Sequence, residues 1–203
     1  MLGLPKSTEV NRRVAKEKLY ANSHIPPQLR EAIKDHVEAI YWRNKLAEST
    51  FNVSAGEAVT EIQVFELQLR QRGLEKRVLS AISKSIPYKI LFVLTYEDDA
   101  QLWIDAEGEL YNTGWQPLSD YQIAFSGLNL DAVYENLARQ IAGGRLGTGE
   151  GIGDAVGRDK QRQKLERDIA ALEKKLLRER QFNKQVELNI KIKNLRHELE
   201  GLL

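Results

Sequence analysis

Residues 58–71 read AVTEIQVFELQLRQ, and this stretch decides the fold of the first two thirds of the chain. Its apolar residues point to both faces of one extended segment, and they are Ile62, Val64, Phe65, Leu67 and Leu69. Such a pattern is typical of an interior strand that is covered on both sides. The flanking sequence is therefore expected to supply neighbouring strands and amphipathic helices.

The segments on either side of this strand meet that expectation. PPQLREAIKDHVEAI (26–40) predicts a helix that begins at its prolines, and IYWRNKL (40–46) predicts a strand. GLEKRVLSAISKSI (73–86) predicts a short amphipathic helix, and YKILFVLTY (88–96) predicts a second interior strand. QLWID and LYNTGW follow after turn-forming residues, so residues 88–115 predict a meander.

LNLDAVYENLARQIA (128–142) predicts the helix that closes this part of the chain. Asp131 is expected to be its N-cap, and Val133, Leu137 and Ile141 are expected to face the core. The order of elements predicts an α/β (α+β) domain over residues 1–142, with a mixed β-sheet and flanking helices.

The segment GGRLGTGEGIGDAVG (143–157) holds seven of the fourteen glycines. A Walker-type phosphate loop needs Lys and Ser/Thr after its glycines, and a dinucleotide fingerprint needs G-x-G-x-x-G directly after a strand. This segment has no lysine, follows a predicted helix and has neither spacing. Glycine with small and polar residues is typical of a flexible tether, so we interpret 143–157 as a linker.

Residues 158–203 predict amphipathic helices of coiled-coil type. Apolar residues alternate in steps of four and three, as at a/d positions. They are Leu165, Ile169, Leu172 and Leu176 in one run and Leu188, Ile192, Leu195 and Leu199 in the other. The two runs differ in phase, which favours a hairpin folded about RERQFNKQ (178–185) over a single bent helix. We expect these eight residues to dock another protein or another copy.

Charge is distributed unevenly along the chain. Residues 158–203 carry 13 Lys/Arg against 8 Asp/Glu, and residues 1–157 carry 17 against 21, although the net charge is only +1. A basic tail on an acidic body suggests an acidic protein or nucleic acid as partner, and a solvated helix surface is the alternative. Contacts to phosphate are expected from Lys174, Lys175, Arg178, Arg180 and Lys184.

Composition bounds the class of protein. The chain is 42% hydrophobic, which supports a core, and it has no cysteine. A disulfide framework, a thiolate nucleophile and a cysteine zinc site are therefore excluded. The sequence has no run of about 18 apolar residues and no signal-peptide pattern at its start, so we expect a soluble cytoplasmic protein.

Candidate catalytic residues are few. His24, His36 and His197 lie in unrelated segments, so neither a metal site nor a Ser-His-Asp arrangement is predicted, and no cofactor is expected.

The predicted order of elements is compatible with restriction-endonuclease-like folds, which place acidic residues on central strands to hold magnesium. Glu61, Glu66 and Gln68 are then the candidate site, with a glutamine where such enzymes usually have lysine. The alternative is that Glu61 and Glu66 pair with neighbouring Arg or Lys residues.

Five stretches carry a resemblance to a known family: GLPKSTEVNRRVAKEKLY (3–20), IYWRNKLAESTFNV (40–53), VTEIQVFELQL (59–69), LDAVYENLARQIAG (130–143) and RQFNKQVELN (180–189). They resemble a bacterial family of unknown function with no assigned active-site residues. The resemblance implies genes beside those of superfamily-two helicases and DNA methyltransferases, in restriction-modification-like or phage-defence clusters. It also implies that lysine is frequent where Gln68 stands, which weakens the nuclease hypothesis.

The leading hypothesis is an accessory or adaptor subunit of a DNA-acting defence complex, which docks through its C-terminal helices to a helicase, a methyltransferase or another copy of itself. A magnesium-dependent nuclease, possibly degenerate, is the first alternative. A homo-oligomeric structural protein is the second.

Overall fold

The computed structural model describes residues 2–21 and 25–202. The chain divides into two compact units, of which the first ends at Leu146 and is called the body here, while the second begins at Gly147. The strands are β1 Glu9–Arg13, β2 Val37–Leu46, β3 Ile62–Leu69, β4 Lys89–Tyr96, β5 Asp99–Ala106, β6 Glu109–Asn112 and β7 Gln116–Pro117. The helices are α1 Lys16–Ala21, α2 Pro27–His36, α3 Glu48–Phe51, α4 Lys76–Ser85, α5 Leu130–Ala142, α6 Ile152–Leu176 and α7 Phe182–Glu200.

The body is built on one mixed sheet, in the strand order β1-β2-β3-β4-β5-β6, with β7 paired to β5. Neighbouring strands are antiparallel except β3 and β4, which are parallel and are joined through α4. A parallel pair requires a crossover connection, and the amphipathic helix α4 provides it. The prediction of a mixed sheet with flanking helices is confirmed.

The two faces of β3 explain why its sequence is apolar at both odd and even positions. Phe65 and Leu67 belong to the buried cluster that α1, α2 and α4 cover, whereas Ile62 and Val64 are buried outside that cluster. Helix α5 packs on β5 and β6 and buries Val133 and other apolar residues that also lie outside the cluster. Because successive side chains of a strand alternate between faces, the sheet is covered on both sides, as predicted.

Helix α2 ends earlier than its sequence pattern indicates. Val37 and Ile40 were expected on the helix, but the helix ends at His36 and both residues belong to β2. Val37 is in register with Leu69 and Ile40 with Leu67. The β-branched residues therefore satisfy their backbone groups in the sheet rather than in another helical turn. The strand β1, which pairs with β2 at the edge, was not predicted from its polar sequence.

The expected N-cap of α5 is wrong by two residues. Asn129 is the N-cap, and its side-chain oxygen accepts a hydrogen bond from the amide of Ala132 at 3.0 Å. Asp131 lies inside the first turn and its carboxylate binds another segment of the body. It accepts hydrogen bonds from the backbone amides of Glu57 (2.8 Å), Ala58 (3.3 Å) and Val59 (2.7 Å).

The second unit is a helical hairpin, made of α6 and α7 and called the hairpin below. Helix α7 packs against α6, and the two are linked by Arg196 to Glu173 (2.7 Å) and by Gln161 to Glu198 (3.5 Å). The turn occupies 177–181, so it starts one residue before and ends four residues before the predicted turn at 178–185. The single bent helix is therefore excluded.

The predicted linker is shorter than its glycine content indicates. Helix α5 ends at Ala142, and Gly143 follows as its C-cap in the left-handed conformation (φ 60°), which glycine commonly adopts there. Helix α6 begins at Ile152, so Gly153 and Gly157 are helical although 143–157 was predicted to be a linker. Each glycine costs a helix only about 1 kcal/mol, which a 25-residue helix tolerates.

Candidate functional site

Glu66 lies near the end of β3 and is surrounded by polar side chains. It is 5% exposed, and its Oε2 accepts a hydrogen bond from Nε of Arg43 at 2.5 Å. Its Oε1 accepts hydrogen bonds from Gln68 (3.3 Å) and Thr95 (3.2 Å). Both carboxylate oxygens are therefore occupied by protein donors. The amide of Gln68, at the place where a nuclease would carry lysine, acts here as a donor to Glu66.

Glu61 has a separate set of partners. It lies just before β3, is 6% exposed and pairs with Lys45 at 2.7 Å. Gln63 donates to its other oxygen at 2.6 Å. The hydrogen bond from Lys45 to Glu61 raises the pKa of Lys45, so the ammonium group of Lys45 stays protonated over the neutral range.

Because of a register shift in β2, Glu66 pairs with Arg43 while Glu61 pairs with Lys45. The register of β2 against β3 changes between Trp42 and Asn44, which leaves Arg43 as the additional residue of a β-bulge. The bulge re-aims the side chain of Arg43 toward Glu66, while Lys45 stays in register with Gln63 beside Glu61. The interpretation of both acids as ion-paired strand residues is the one that this geometry supports.

The two candidate carboxylates do not meet. Glu61 bonds Gln63 and Glu66 bonds Gln68, each two residues along the strand and hence on the same face as its partner. Five positions separate Glu61 from Glu66, so they lie on opposite faces of the sheet. A single magnesium ion cannot bridge them. Over residues 2–21 and 25–202, no group of three or more His, Asp or Glu side chains has an arrangement that could hold a metal ion.

Glu66 forms part of the wall of an open cleft of about 400 Å³. The same wall carries the carboxylates of Glu38, Glu97, Asp98 and Asp99, and its described lining includes no lysine or arginine. Two of these carboxylates pair with arginines outside the lining, Glu66 with Arg43 and Asp99 with Arg72.

Two of the three histidines can be placed. Nδ1 of His36 accepts a hydrogen bond from Nε2 of Gln71 at 3.0 Å, and His197 lies 3.8 Å from Glu200 on the exposed side of α7. His24 lies outside the described residues. The histidines that the structure describes do not gather around a common point.

The eight apolar residues predicted as a docking surface are covered instead. Leu165, Ile169, Leu188 and Ile192 are buried, and the other members, Leu172, Leu176, Leu195 and Leu199, are half-buried. They lie on two helices that pack against each other. A stripe that one helix needs to bind its neighbour in the same hairpin is not a free surface for a partner.

A second apolar stripe, which the sequence analysis missed, is open to solvent. Leu177 is 88% exposed in the turn, and Phe182 (74%), Val186 (41%) and Ile190 (55%) follow on α7. Phe182, Val186 and Ile190 recur every four residues, so they form one face of the helix. This spacing is readable from the sequence, but the longer leucine stripe beside it has the stronger a/d pattern.

The five basic residues proposed for phosphate contacts lie around the turn. Lys174 and Lys175 lie in the last helical turn of α6, Arg178 and Arg180 lie between the two helices, and Lys184 lies in the first helical turn of α7. All five side chains are exposed. The turn end of the hairpin therefore combines positive charge with the exposed Leu177.

Comparison with known proteins gives a family and little else. No curated protein and no solved structure matches the chain. None of the helices over residues 2–21 and 25–202 has the length and apolar character that a membrane crossing requires. A family model does match residues 2–199, which is nearly the whole chain, and its description is a domain of unknown function, DUF4391. The chain belongs to this DUF4391 family.

Proposed function

We propose that this protein is an accessory subunit of a DNA-acting bacterial defence complex, and that it works by association with other proteins rather than by catalysis. The hairpin is the element of association. The body supplies a rigid module whose buried carboxylates hold the sheet together.

The observation that carries this proposal is the distribution of exposed apolar side chains. Four large ones lie between residues 177 and 190, namely Leu177, Phe182, Val186 and Ile190. Exposed apolar groups gathered in one place are typical of a surface that a partner covers. The apolar stripe that closes the hairpin is separate from them, so covering them does not require the hairpin to open.

The charge around the turn extends the proposal to DNA. Residues 174–193 carry seven Lys/Arg and two Asp/Glu. A positive end on the hairpin adds affinity for phosphate when the complex sits on DNA, and this contribution falls steeply with salt.

The identity of the expected partner comes from the resemblance to a family whose genes lie beside those of helicases and DNA methyltransferases. We therefore expect the partner to be one of these two enzymes. Its contact is expected at the turn end, where Leu177 lies among Arg178 and Arg180.

Affinity capture from the native host tests the proposal, with the full chain as bait and mass spectrometry as readout. The test variant is Leu177→Glu with Arg180→Glu, both at exposed positions. The matched control is Ala170→Glu with Ala171→Glu, at exposed positions within α6. We expect the parent and the control to recover a helicase or methyltransferase and the test variant to lose it.

Recovery of the same enzyme by the test variant would place the contact elsewhere and overturn the role of the turn end. Recovery of no DNA-acting enzyme by the parent would overturn the adaptor function itself. The nuclease alternative is tested separately by incubating the parent and Glu66→Gln, which keeps the shape of the side chain, with DNA and Mg²⁺. Cleavage by the parent that is lost in the variant would favour that alternative over ours.

A further inference from the structure

We propose that the exposed stripe of α7 binds the same stripe of a second copy, in an antiparallel helix pair centred on Val186. The stripe is called the outer face here and consists of Phe182, Val186 and Ile190 with Asn183 and Asn189 at its borders. This inference shares with the proposed function only the idea that the hairpin is the element of association. It adds that another copy of the same chain binds the outer face.

The outer face points away from the contact with α6. At about 100° per residue, Val186 lies about 160° around the helix from Leu188 and about 120° from Ile192, the two buried residues of α7. Phe182 and Ile190 flank Val186 by one turn on either side. A second helix can therefore lie along α7 without displacing α6.

The sequence of the outer face is symmetric about Val186. Large apolar residues stand four positions before and after it, Phe182 and Ile190, and asparagines stand three positions before and after it, Asn183 and Asn189. A two-fold axis through Val186 brings each residue opposite its mirror position on the other copy, as an isologous contact requires. Phe182 of one copy then meets Ile190 of the other.

The asparagines suit this pairing. Asn183 of one copy comes opposite Asn189 of the other, and the two amides offer each other both donors and acceptors. Two such pairs arise, one on each side of the axis. A polar residue at a helix interface typically fixes register, because any shift leaves it without a partner.

Charges on α7 also agree with a second copy. In this register Lys193, which lies about 20° around the helix from Val186, comes level with the turn residue Glu179 of the other copy, and Glu187 comes level with Gln185. Lys184 lies about 160° from Val186 and does not face the second copy. No like charges are therefore placed opposite each other. A lipid surface or a nucleic acid is bound through lysine and arginine beside the apolar residues. Asn183 and Asn189 border the outer face, and Lys193 on the same side of α7 comes level with Glu179 of the other copy. This pairing of opposite charges favours a second copy over an anionic surface.

Single cysteines give a direct test, because the protein has none of its own. In the full chain, Val186→Cys lies on the two-fold axis and is expected to form a disulfide-linked dimer under mild oxidation. A mixture of Phe182→Cys and Ile190→Cys chains is expected to form the mixed dimer in preference to either homodimer. Lys191→Cys is the control, since this exposed position lies on another side of α7.

A second measurement does not depend on disulfide geometry. Sedimentation equilibrium is expected to give the parent about twice the mass of one chain, 23.2 kDa, and Val186→Glu the mass of one chain with unchanged helical content. Equal cross-linking at Lys191 and Val186, or homodimers from Phe182→Cys and Ile190→Cys each alone, would overturn the antiparallel register. A monomeric parent over the whole concentration range would overturn the second copy as occupant, and the outer face would then belong to another protein.

The outcomes separate this inference from the proposed function. A cross-linked dimer that captures no DNA-acting enzyme supports the pairing and removes the adaptor function. Capture of such an enzyme by a parent that stays monomeric supports the adaptor function and removes the pairing of two copies.

Discussion

The body and the hairpin treat their conspicuous residues in opposite ways. The body buries charge and gives each buried carboxylate protein partners: Glu66 has Arg43, and Glu61 has Lys45. The hairpin exposes apolar side chains to solvent, at Leu177, Phe182, Val186 and Ile190. The buried carboxylates Glu61 and Glu66 are satisfied within the fold, whereas the apolar side chains between residues 177 and 190 are exposed, and our proposal is that another molecule covers them.

The largest effect is expected from breaking the buried ion pair of the body. Glu66→Ala leaves the guanidinium of Arg43 without its carboxylate and Thr95 without its acceptor. We expect the free energy of unfolding to fall by about 3 kcal/mol, measured by urea denaturation with tryptophan fluorescence. Glu66→Gln keeps the shape and should lose less. A variant as stable as the parent, or a parent stabilised by Mg²⁺, would contradict the structural role of Glu66.

The next largest effect on stability compares two hydrogen-bond acceptors at the start of α5, Asp131 and Asn129. Asp131→Ala removes the acceptor for three backbone amides, those of Glu57, Ala58 and Val59, and we expect a loss of about 2 kcal/mol. Asn129→Ala removes an ordinary N-cap bond and is expected to cost about 1 kcal/mol. The same urea titration measures both. An Asp131 variant that loses less than the Asn129 variant would contradict the role of Asp131 as the anchor of the 57–59 segment.

A pair of substitutions on α7 compares its two faces. Leu188→Ala should destabilise the hairpin by about 2 kcal/mol, because Leu188 is buried, while Val186→Ala should change its stability by less than about 0.5 kcal/mol. Circular dichroism at 222 nm follows the helices, and fluorescence follows only the body, because Trp42, Trp103 and Trp115 all lie there. The titration is made at protein concentrations low enough to exclude self-association. Equal losses would show that both faces are packed.

The smallest effect is a pH dependence from the pair of Lys45 and Glu61. The folded state raises the pKa of Lys45, chiefly through its hydrogen bond to Glu61. The contribution of this ion pair to the free energy of unfolding is therefore fully present below the pKa of lysine in the unfolded chain, about 10.4. It is lost as the pH rises through the pKa of Lys45 in the folded state. Lys45→Met should flatten this alkaline decline of the unfolding free energy, whereas the exposed Lys84→Met should leave it unchanged. A steeper decline in Lys45→Met would contradict the assignment.

Several elements were predictable because local pattern and tertiary environment agree. β3 and β4 are apolar on both faces and are interior strands, and α4 is amphipathic and connects them. Val37 and Ile40 were misassigned because helical spacing and β-propensity conflict there, and pairing with β3 decided the outcome. Asp131 was misassigned because an N-cap and a long-range acceptor have the same residue type. The close packing of the 54–59 segment on α5 is visible in the hydrogen bonds that Asp131 accepts and in the approach of Gly56, where a Cβ would lie 2.2 Å from Cγ of Asp131.

The sequence by itself determined that the chain has a mixed sheet covered by helices, a glycine-rich junction and two C-terminal helices, because periodicity and turn residues are local properties. It also contained both stripes of α7, since each recurs at helical spacing. Only the tertiary structure decided which stripe is buried and that Glu61 and Glu66 lie on opposite faces with separate cations. The physical reason is that burial and pairing depend on residues distant in sequence, such as Arg43 for Glu66, whose position a β-bulge of one residue sets.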